Sequence, residues 1–309
     1  MNNALDRSKG ALLGLAIGDA LGTTLEFRDR GTFTPITDIV GGGPFNLPIG
    51  YWTDDTSMAL CLGQSLIDKQ GFDVCDQMEK YCDWWQNGYY SSTGRCFDIG
   101  YTTRGALLAY KETGQAISDR TSRDLAGNGS IMRLSPVPIF YQNNLDESVK
   151  RAGISSKTTH SAPQSISGCQ YMSFLLVMAI SGRSKEELLD SHLNHPIWQN
   201  YDLDSTIIDI AKGDYQYKVE SQIKTTGYVV DTLEAAMWAF YMTDTFEEGA
   251  LKIVNLGGDA DTTGAVYGQI AGAYYGASGI PSDWLSKLYM CQEIERMAVD
   301  LYNLGIEGL

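Results

Sequence analysis

Two short acidic sequences have the residue types that hold divalent metal ions. Thr53-Asp54-Asp55 and Asp259-Ala260-Asp261-Thr262 each precede a stretch with helical apolar spacing. For either sequence alone, helix capping is the simpler explanation, because Asp and Thr accept hydrogen bonds from the free N–H groups of a first turn. Two such clusters are more than capping requires. If the four carboxylates converged within about 4 Å, each pair would repel by up to about 4 kcal/mol at an effective dielectric near 20, and cations would relieve that repulsion.

The ligands on offer are carboxylate and hydroxyl oxygens, which suit Mg²⁺ or Mn²⁺ and not zinc. A zinc centre rich in histidine is nearly excluded, because the chain has only three histidines, His160, His192 and His195. Two ions about 3.5 to 4 Å apart would form a binuclear centre. The sequence therefore predicts oxygen-ligated metal chemistry where these two clusters meet.

A glycine-rich segment could bind phosphate. Residues 127–130, Gly-Asn-Gly-Ser, can present successive backbone N–H groups at a helix start, although a turn with a Ser cap is the simpler alternative. Arg133 lies one turn further on, where it could contact a diphosphate or pair with a surface acid.

Two single residues could do acid–base work. Asp98 stands between Phe97 and Ile99, and apolar neighbours can raise the pKa of a carboxyl group, although an Asp in a turn is commoner. His160 has a motif-like setting in SSKTTHSAP, whereas His192 and His195 are interpreted as structural or exposed.

The elements that must position these residues are helices. Gly264, Gly268, Gly272 and Gly276 recur every fourth residue, and so do the glycines at positions 10, 14, 18 and 22. Each interior glycine costs about 1 kcal/mol relative to Ala, so a close approach of two helices is the expected compensation. We expect the two glycine-striped helices to pack together in one core.

Almost every periodic segment is helical. A helix is expected over residues 8–22 after a Ser8 cap, a long loop over 27–50, and a short β-hairpin is an option within 215–230. Further helices are predicted after Asp55 and over residues 72–86, 103–112, 145–155, 164–180, 184–193, 231–241, 245–254 and 284–303.

Composition excludes several classes of protein. The 309 residues contain no linker, so we expect a single domain, 1–309. With 43% hydrophobic and 20% charged residues and no long apolar run or signal series, the expected location is the cytoplasm, with reduced cysteines and no membrane association. A net charge of −15 argues against a nucleic-acid partner.

Six segments, taken in order, resemble the motifs of the ADP-ribosylglycohydrolase family, especially its dinitrogenase reductase-activating branch. They are GALLGLAIGDALGTTLEF, GYWTDDTSMAL, CFDIGYTTR, GNGSIMRLSP, SKTTHSAPQS and LGGDADTTGAVYGQIAGAYYG, between residue 9 and about residue 276. The resemblance implies a compact orthogonal all-α fold whose cleft holds two Mg²⁺ (or Mn²⁺). It also implies a hydrolase that removes ADP-ribose from modified protein side chains, and we expect the protein to be a monomer.

The resemblance assigns roles to individual residues of this chain. The implied metal ligands are Thr53, Asp54, Asp55, Asp259, Asp261 and Thr262. The implied catalytic residues are Asp98 and Glu26. The implied substrate-binding residues are Gly100, Gly127, Asn128, Gly129, Ser130, Met132, Arg133 and His160.

The linkage and the biological role stay open at this stage. FDIG around Asp98 resembles the arginine-directed branch and not the branch that acts on serine. A serine-directed hydrolase, a non-catalytic ADP-ribose-binding protein and a prenyl-diphosphate enzyme are the alternatives, the last without its usual DDxxD because Met58 takes the final position. Nitrogenase regulation, immunity to an ADP-ribosylating toxin and repair share this chemistry. The short stretch before Lys9 argues against an added domain that plugs a toxin.

Overall fold

A computed structural model describes residues 3–307, and the only regular elements in that range are helices. It contains no β-strand within that range, only isolated bridges between Gly42 and Leu47 and between Gly127 and Tyr228. The helices are α1 Asn3–Gly22, α2 Asp54–Lys69, α3 Val74–Asn87, α4 Tyr101–Thr113, α5 Pro136–Phe140, α6 Leu145–Lys157, α7 Pro163–Ile180, α8 Lys185–Leu189, α9 Ser205–Ala211, α10 Val229–Met242, α11 Phe246–Val254, α12 Ala260–Tyr275, α13 Ser282–Lys287 and α14 Cys291–Glu307. This confirms the predicted all-α class. None of the described helices is both long and apolar enough to cross a membrane.

The two glycine-striped helices pack directly against each other, as predicted. A Cβ atom added to Gly18 would lie 2.0 Å from the carbonyl oxygen of Gly264, and one added to Gly268 would lie 1.9 Å from that of Gly14. Real Cβ atoms do not come so close, so only glycine allows the two backbones to touch. The stripes therefore fix the register of α1 against α12.

The α1–α12 pair lies at the centre of the molecule and contacts α7, α10, α11 and α14. The buried apolar side chains around it form one cluster. At one end of the pair, Gly22 lies against the backbone of Ala260 and Asp261, which brings the end of α1 next to the start of α12. The start of α2 reaches the same place through hydrogen bonds from Thr53 to α1 and to Asp261.

The predicted hairpin within residues 215–230 is wrong. Two short 3₁₀-helices, Asp214–Tyr217 and Glu220–Gln222, occupy part of the segment. The Trp238 indole donates to the carbonyl of Lys218, and the Arg30 guanidinium donates to those of Glu220 and Ile223. Because side chains satisfy these carbonyls, the segment needs no second strand.

Three predicted helix boundaries are also wrong. The single helix expected over residues 284–303 is two helices, because Met290 takes a left-handed conformation (φ 56°) and the Tyr289 N–H donates to Gly50. The helix expected to reach residue 193 ends at Leu189. Ser8 lies inside α1, which begins at Asn3, and so does not cap it. The predicted loop over residues 27–50 contains no helix and is confirmed.

Candidate active site

A cleft opens at the end of the α1–α12 pair where α2 begins, and it encloses about 290 Å³. Most of the predicted site residues line it; Thr53, Asp55, Asp261, Ser130 and Arg133 do not. The lining residues are Glu26, Phe27, Asp54, Asp98, Gly100, Tyr101, Thr102, Thr103, Gly127, Asn128, Gly129, Met132, His160, Gly227, Asp259 and Thr262.

One side of the cleft is a cluster of carboxylates, here called the acidic half: Asp19, Glu26, Asp55, Asp98 and Asp261. One ligand oxygen from each of Asp19, Asp55 and Asp261 lies within 4.8 Å of the others, and the same holds for Glu26, Asp98 and Asp261. Asp261 belongs to both groups. Carboxylates from α1, α2, α12 and two loops therefore converge, although Asp54 and Asp261 are about two hundred positions apart in sequence.

Capping does not explain the two acidic sequences. Thr53 and Asp259 occupy the N-cap positions of α2 and α12, but neither side chain makes a capping hydrogen bond. The start of α2 is capped instead by Asp19 of α1. Asp19 accepts from the N–H (2.9 Å) and hydroxyl (2.9 Å) of Thr53 and from the N–H (3.0 Å) and hydroxyl (2.6 Å) of Thr56.

Asp19 is the residue that sequence reasoning missed. It is completely buried, and its four hydrogen bonds set the position of α2 relative to α1. The signal was an acidic side chain directly after Gly18, on a helix whose other residues are suited to a core. A buried carboxylate in such a place needs partners.

Other carboxylate atoms in the acidic half are left without partners. The Thr53 hydroxyl lies 3.0 Å from Asp55 and 3.2 Å from Asp261, which ties the clusters together. Yet Glu26 Oε2 and Asp55 Oδ1 are buried and have no hydrogen-bond partner. Buried polar atoms that lack partners are costly, so these two oxygens fit ligands of a cation.

Burial raises the carboxyl pKa values throughout the acidic half. It raises the pKa of Glu26 to about 9 against the lowering effect of a hydrogen bond with Asp261, and the charges of Asp98, Asp259 and Asp19 raise it further. Burial and the charge of Asp259 raise the pKa of Asp98 to about 7. The pKa values of Asp54, Asp55 and Asp261 are raised well above the usual range by burial and by neighbouring carboxylates. Without cations the cluster therefore retains protons at neutral pH.

Asp54 and Asp259 face the open cleft beside this cluster. The Asn128 amide donates to Asp259 at 2.8 Å and to Thr232 at 3.0 Å. Asn128 thereby links the acidic side of the cleft to the glycine-rich segment. Its side chain is a fixed bridge between α10 and the start of α12.

The opposite side of the cleft, here called the amide half, presents the N–H groups of Gly129 and the first turn of α4, with the His160 ring. Within the described chain, the N–H groups of Gly129 and Ser130 have no hydrogen-bond acceptor, whereas that of Asn128 donates to Gly227. Gly100 caps α4 without a side chain, which leaves the first-turn N–H groups free beside Gly129. Together these donors suit an anion.

The glycine-rich segment was predicted to start a helix, and that is wrong. Residues 129–133 form consecutive turns, and the Asn128 carbonyl accepts from both Ile131 and Met132. The helix start on this side of the cleft is the start of α4. It begins at Tyr101, two residues before its predicted start.

His160 is a neutral donor aimed at Gly127 and Gly129. Burial, with the charges of Arg133 and Arg120, lowers the pKa of His160 to about 3. Its Nδ1 lies 2.8 Å from the Thr159 hydroxyl, which accepts from Arg133 at 2.8 Å. Within the described chain the Thr159 hydroxyl has no other acceptor, so it donates to Nδ1. The ring proton is therefore on Nε2, which lies beside Gly127 and Gly129.

Arg133 and Ser130 lie beneath the cleft and not on its surface. Arg133 is fully buried; it donates to Gly129, Thr158 and Thr159, and its guanidinium stacks on Tyr81 with 4.5 Å to the ring centroid. No carboxylate in the described chain pairs with it. The Ser130 hydroxyl accepts from Ser156 at 2.9 Å, facing away from the cleft. We expected Arg133 to contact a substrate directly. In the structure its side chain is buried and donates to the Gly129 carbonyl from beneath the cleft.

Comparisons with known proteins agree with this geometry. A sequence model of the ADP-ribosylglycohydrolase family matches residues 1–307. The chain is 44% identical to ADP-ribosylarginine hydrolase Tri1 of Serratia proteamaculans (strain 568), over 99% of this chain and 81% of that protein. It is 36% identical to ADP-ribosyl-[dinitrogen reductase] glycohydrolase of Rhodospirillum rubrum, over 98% of this chain and 97% of that protein.

A solved structure agrees as well. It is described as an ADP-ribosylglycohydrolase-related protein complex, and it superposes with a TM-score of 0.85 at 41% identity, covering 99% of this chain and 100% of that one. A family match along nearly the whole chain goes against the prenyl-diphosphate alternative. The chain belongs to the ADP-ribosylglycohydrolase family.

Proposed function

We propose that this protein is a hydrolase that removes ADP-ribose from modified arginine side chains of proteins, with two Mg²⁺ (or Mn²⁺) as cofactors. The observation that carries the proposal is the meeting of two carboxylate groups at Asp261, beside a cleft with unpaired N–H donors. It is further supported by relatives at 44% and 43% identity that are named ADP-ribosylarginine hydrolases. A monomer acting in the cytoplasm, without nucleic acid, is part of the proposal.

The acidic half fits divalent cations with oxygen ligands. Ions would be held by Asp55 and Asp261 with Thr53, by Asp54, Asp259 and Thr262 from the cleft side, and by Glu26 where its free oxygen faces the cluster. Bound ions would offset the repulsion among the carboxylates and act as Lewis acids. Each carboxylate oxygen of Asp19 already accepts two hydrogen bonds. We therefore assign Asp19 to positioning α2 and not to binding an ion.

The amide half fits the diphosphate of ADP-ribose. The N–H groups of Gly129 and the first turn of α4 are free donors, and the positive end of the α4 dipole points at the same place. Arg133 adds a buried positive charge, because its guanidinium donates to the carbonyl of Gly129. These local charges counter the repulsion that a chain of net charge −15 exerts on an anion.

With the diphosphate on the amide half, the ribose attached to arginine lies at Glu26 and Asp98. In hydrolysis, a water oxygen bonds to the anomeric carbon, the carbon–nitrogen bond breaks with its electron pair going to nitrogen, and the departing guanidine nitrogen gains a proton. One carboxylate takes the proton from water and one supplies the proton to nitrogen. Asp98 and Glu26 are the candidates for these two roles, because both line the cleft beside the carboxylate cluster.

The test is to incubate the protein with arginine-linked, serine-linked and DNA-linked ADP-ribose, with and without Mg²⁺, and to measure released ADP-ribose. We expect release from the arginine-linked substrate alone, and only when Mg²⁺ or Mn²⁺ is present. Faster release from serine would favour the alternative hydrolase of the same family. Tight binding of ADP-ribose with no release from any substrate would show a non-catalytic binding protein and overturn the proposal.

A further inference from the structure

Three phenylalanines form a cluster at the acidic end of the cleft, here called the phenylalanine cluster: Phe27, Phe45 and Phe97. The rings of Phe27 and Phe45 are edge to face, with centroids 6.5 Å apart, and those of Phe45 and Phe97 are 5.2 Å apart. Phe27 lines the cavity. The chain therefore places contiguous aromatic surface beside the carboxylates, a feature that no step of the mechanism above uses.

Phe27 is held in a position that packing alone would not favour. Its side chain is 66% exposed, and its backbone adopts the left-handed conformation (φ 61°), which is uncommon for an aromatic residue. The backbone is fixed there because the Phe27 N–H donates to Gly258 at 2.7 Å and the Gly258 N–H donates to Arg28 at 2.9 Å. Strained residues that the surrounding structure fixes in this way concentrate at functional sites.

The sequence order places this cluster next to the reacting groups. Phe27 directly follows Glu26, and Phe97 directly precedes Asp98. The diphosphate donors lie on the amide half, around Gly129 and the start of α4. A ligand beside the phenylalanine cluster is therefore at the end of the cleft where the ribose bond breaks, and not at the end where an adenine would lie.

The rings are available for an external cation. Among the described residues, no lysine or arginine lies over Phe27, Phe45 or Phe97. Across the cleft the situation differs, because the Arg120 guanidinium already lies over the Tyr101 ring, 5.2 Å from its centroid. Of the two aromatic surfaces at the cleft, only the phenylalanine cluster is free of a cation from the chain itself.

We propose that the phenylalanine cluster, with Phe27 as its exposed member, binds the planar guanidinium of the modified arginine and thereby selects arginine over serine. A guanidinium stacks on aromatic faces, and it is weakly hydrated compared with an ammonium group. This inference rests on the proposed function and names the group that confers its linkage specificity.

The first experiment measures binding without turnover. Agmatine, which carries the arginine guanidinium but no glycosidic bond, is titrated by NMR into the Mg²⁺-loaded protein saturated with ADP-ribose. We expect Phe27→Leu, which keeps the bulk and removes the ring, to weaken agmatine binding by roughly 3- to 30-fold, and Phe27→Tyr to retain it. The control variant is Tyr217→Leu, whose ring is 87% exposed on a distant 3₁₀-helix. The inference would be overturned if Phe27→Leu bound agmatine as tightly as the wild type does. It would also be overturned if the wild type did not bind agmatine.

The second experiment separates this inference from the proposed function. Turnover of arginine-linked ADP-ribose by the wild type reports the function, and the KM ratio of Phe27→Leu to Phe27→Tyr reports the role of the ring. We expect the KM for the arginine-linked substrate to rise in the Leu variant while inhibition by ADP-ribose stays unchanged. Agmatine binding that depends on the ring, without any turnover, would support the guanidinium site but reject the proposed function. Turnover of arginine-linked ADP-ribose with equal KM values in Phe27→Leu and Phe27→Tyr would support the proposed function and reject the role of the ring.

Discussion

The two halves of the cleft satisfy their polar groups in opposite ways. In the acidic half, buried carboxylates lie against one another, and Glu26 and Asp55 each have an oxygen without any partner. In the amide half, the His160 ring, the Thr159 hydroxyl and the Arg133 guanidinium bond to one another in a chain, and the remaining free donors face the cleft. One half is incomplete without a cation, whereas the other is already organised to receive an anion.

This difference shows how one cleft can recognise a ligand with opposite requirements at its two ends. Carboxylates without bound cations would repel a diphosphate, and the partial positive charges of free N–H groups would repel a cation. The proposed function therefore places the diphosphate of ADP-ribose on the amide half. The predictions below test whether the two halves respond independently, in order of expected effect.

Asp261→Asn is expected to have the largest effect on activity, because Asp261 belongs to both carboxylate groups. Release of ADP-ribose should fall by at least about 100-fold, since even residues that only orient a metal ligand cost about 10- to 100-fold when replaced. The melting temperature of the chelated protein should stay the same or rise, because Asn replaces an acidic group whose ionised form is disfavoured by burial and by the neighbouring carboxylates. Both are measured by product release and thermal unfolding.

A matched control for this substitution is Asp300→Asn, which makes the same chemical change at an exposed position on α14. Asp300→Asn should change neither the release of ADP-ribose nor the melting temperature. If Asp261→Asn kept full activity in the presence of a chelator, the assignment of the acidic half as a metal site would have to be abandoned.

Gly129→Ala tests the amide half with a smaller expected effect. The new Cβ atom would lie 2.7 Å from His160 Cε1 and 3.1 Å from the Thr103 hydroxyl, so it would narrow the space between the donors. Overpacking costs about 1 to 3 kcal/mol, which corresponds to roughly 5- to 150-fold weaker ADP-ribose binding by calorimetry. Mg²⁺ affinity should be unchanged.

Gly71→Ala is the control for the glycine substitution, because the only atom near its added Cβ would be the Lys69 carbonyl oxygen at 3.8 Å. It should leave ADP-ribose binding as it is. A loss of Mg²⁺ affinity in Gly129→Ala equal to its loss of ADP-ribose affinity would show that the two halves are not independent.

The pH dependence of stability should come from the acidic half. Glu26 has a pKa of about 9 in the folded chain, against an ordinary value of 4.5. Between these pH values the folded protein keeps a proton that the unfolded chain releases, so raising the pH favours unfolding. The melting temperature of the ion-free protein should therefore fall between pH 5 and pH 9. Added Mg²⁺ should restore it most at the alkaline end, and a profile unaffected by Mg²⁺ would contradict the assignment.

The sequence made the core and the acidic half predictable because both depend on local patterns. Gly14 and Gly268 stand out in a periodic stripe, and Asp54 and Asp261 stand in short acidic sequences before helices. Such patterns remain visible however the chain folds. The approach of α1 to α12 then follows from steric necessity, since nothing larger than glycine fits at the contact.

What could not be predicted depends on partners that are distant in sequence. Asp19 gains its role only when Thr53 and Thr56 are brought to it, and Arg133 becomes buried only because Thr158 and Thr159 satisfy it. A lone Asp or Arg in a helical or turn segment does not reveal such partners. The same holds for the break before α14, which depends on a contact of Tyr289 with the distant Gly50.

Thr159→Val should have the smallest effect and shows most finely how the amide half is organised. Removing the hydroxyl leaves His160 Nδ1 without a donor and deprives Arg133 of one acceptor, so the Nε2-protonated form of the ring is no longer favoured. A lost hydrogen bond of about 0.5 to 1.5 kcal/mol corresponds to roughly 2- to 12-fold weaker ADP-ribose binding. The ¹⁵N shifts of the His160 ring should show a tautomer mixture, while Thr159→Ser keeps both the tautomer and the affinity. If Thr159→Val and Thr159→Ser both lost affinity for ADP-ribose while the His160 tautomer stayed unchanged, Thr159 would act through packing. The hydrogen bond from Thr159 would then not be what keeps the His160 proton on Nε2.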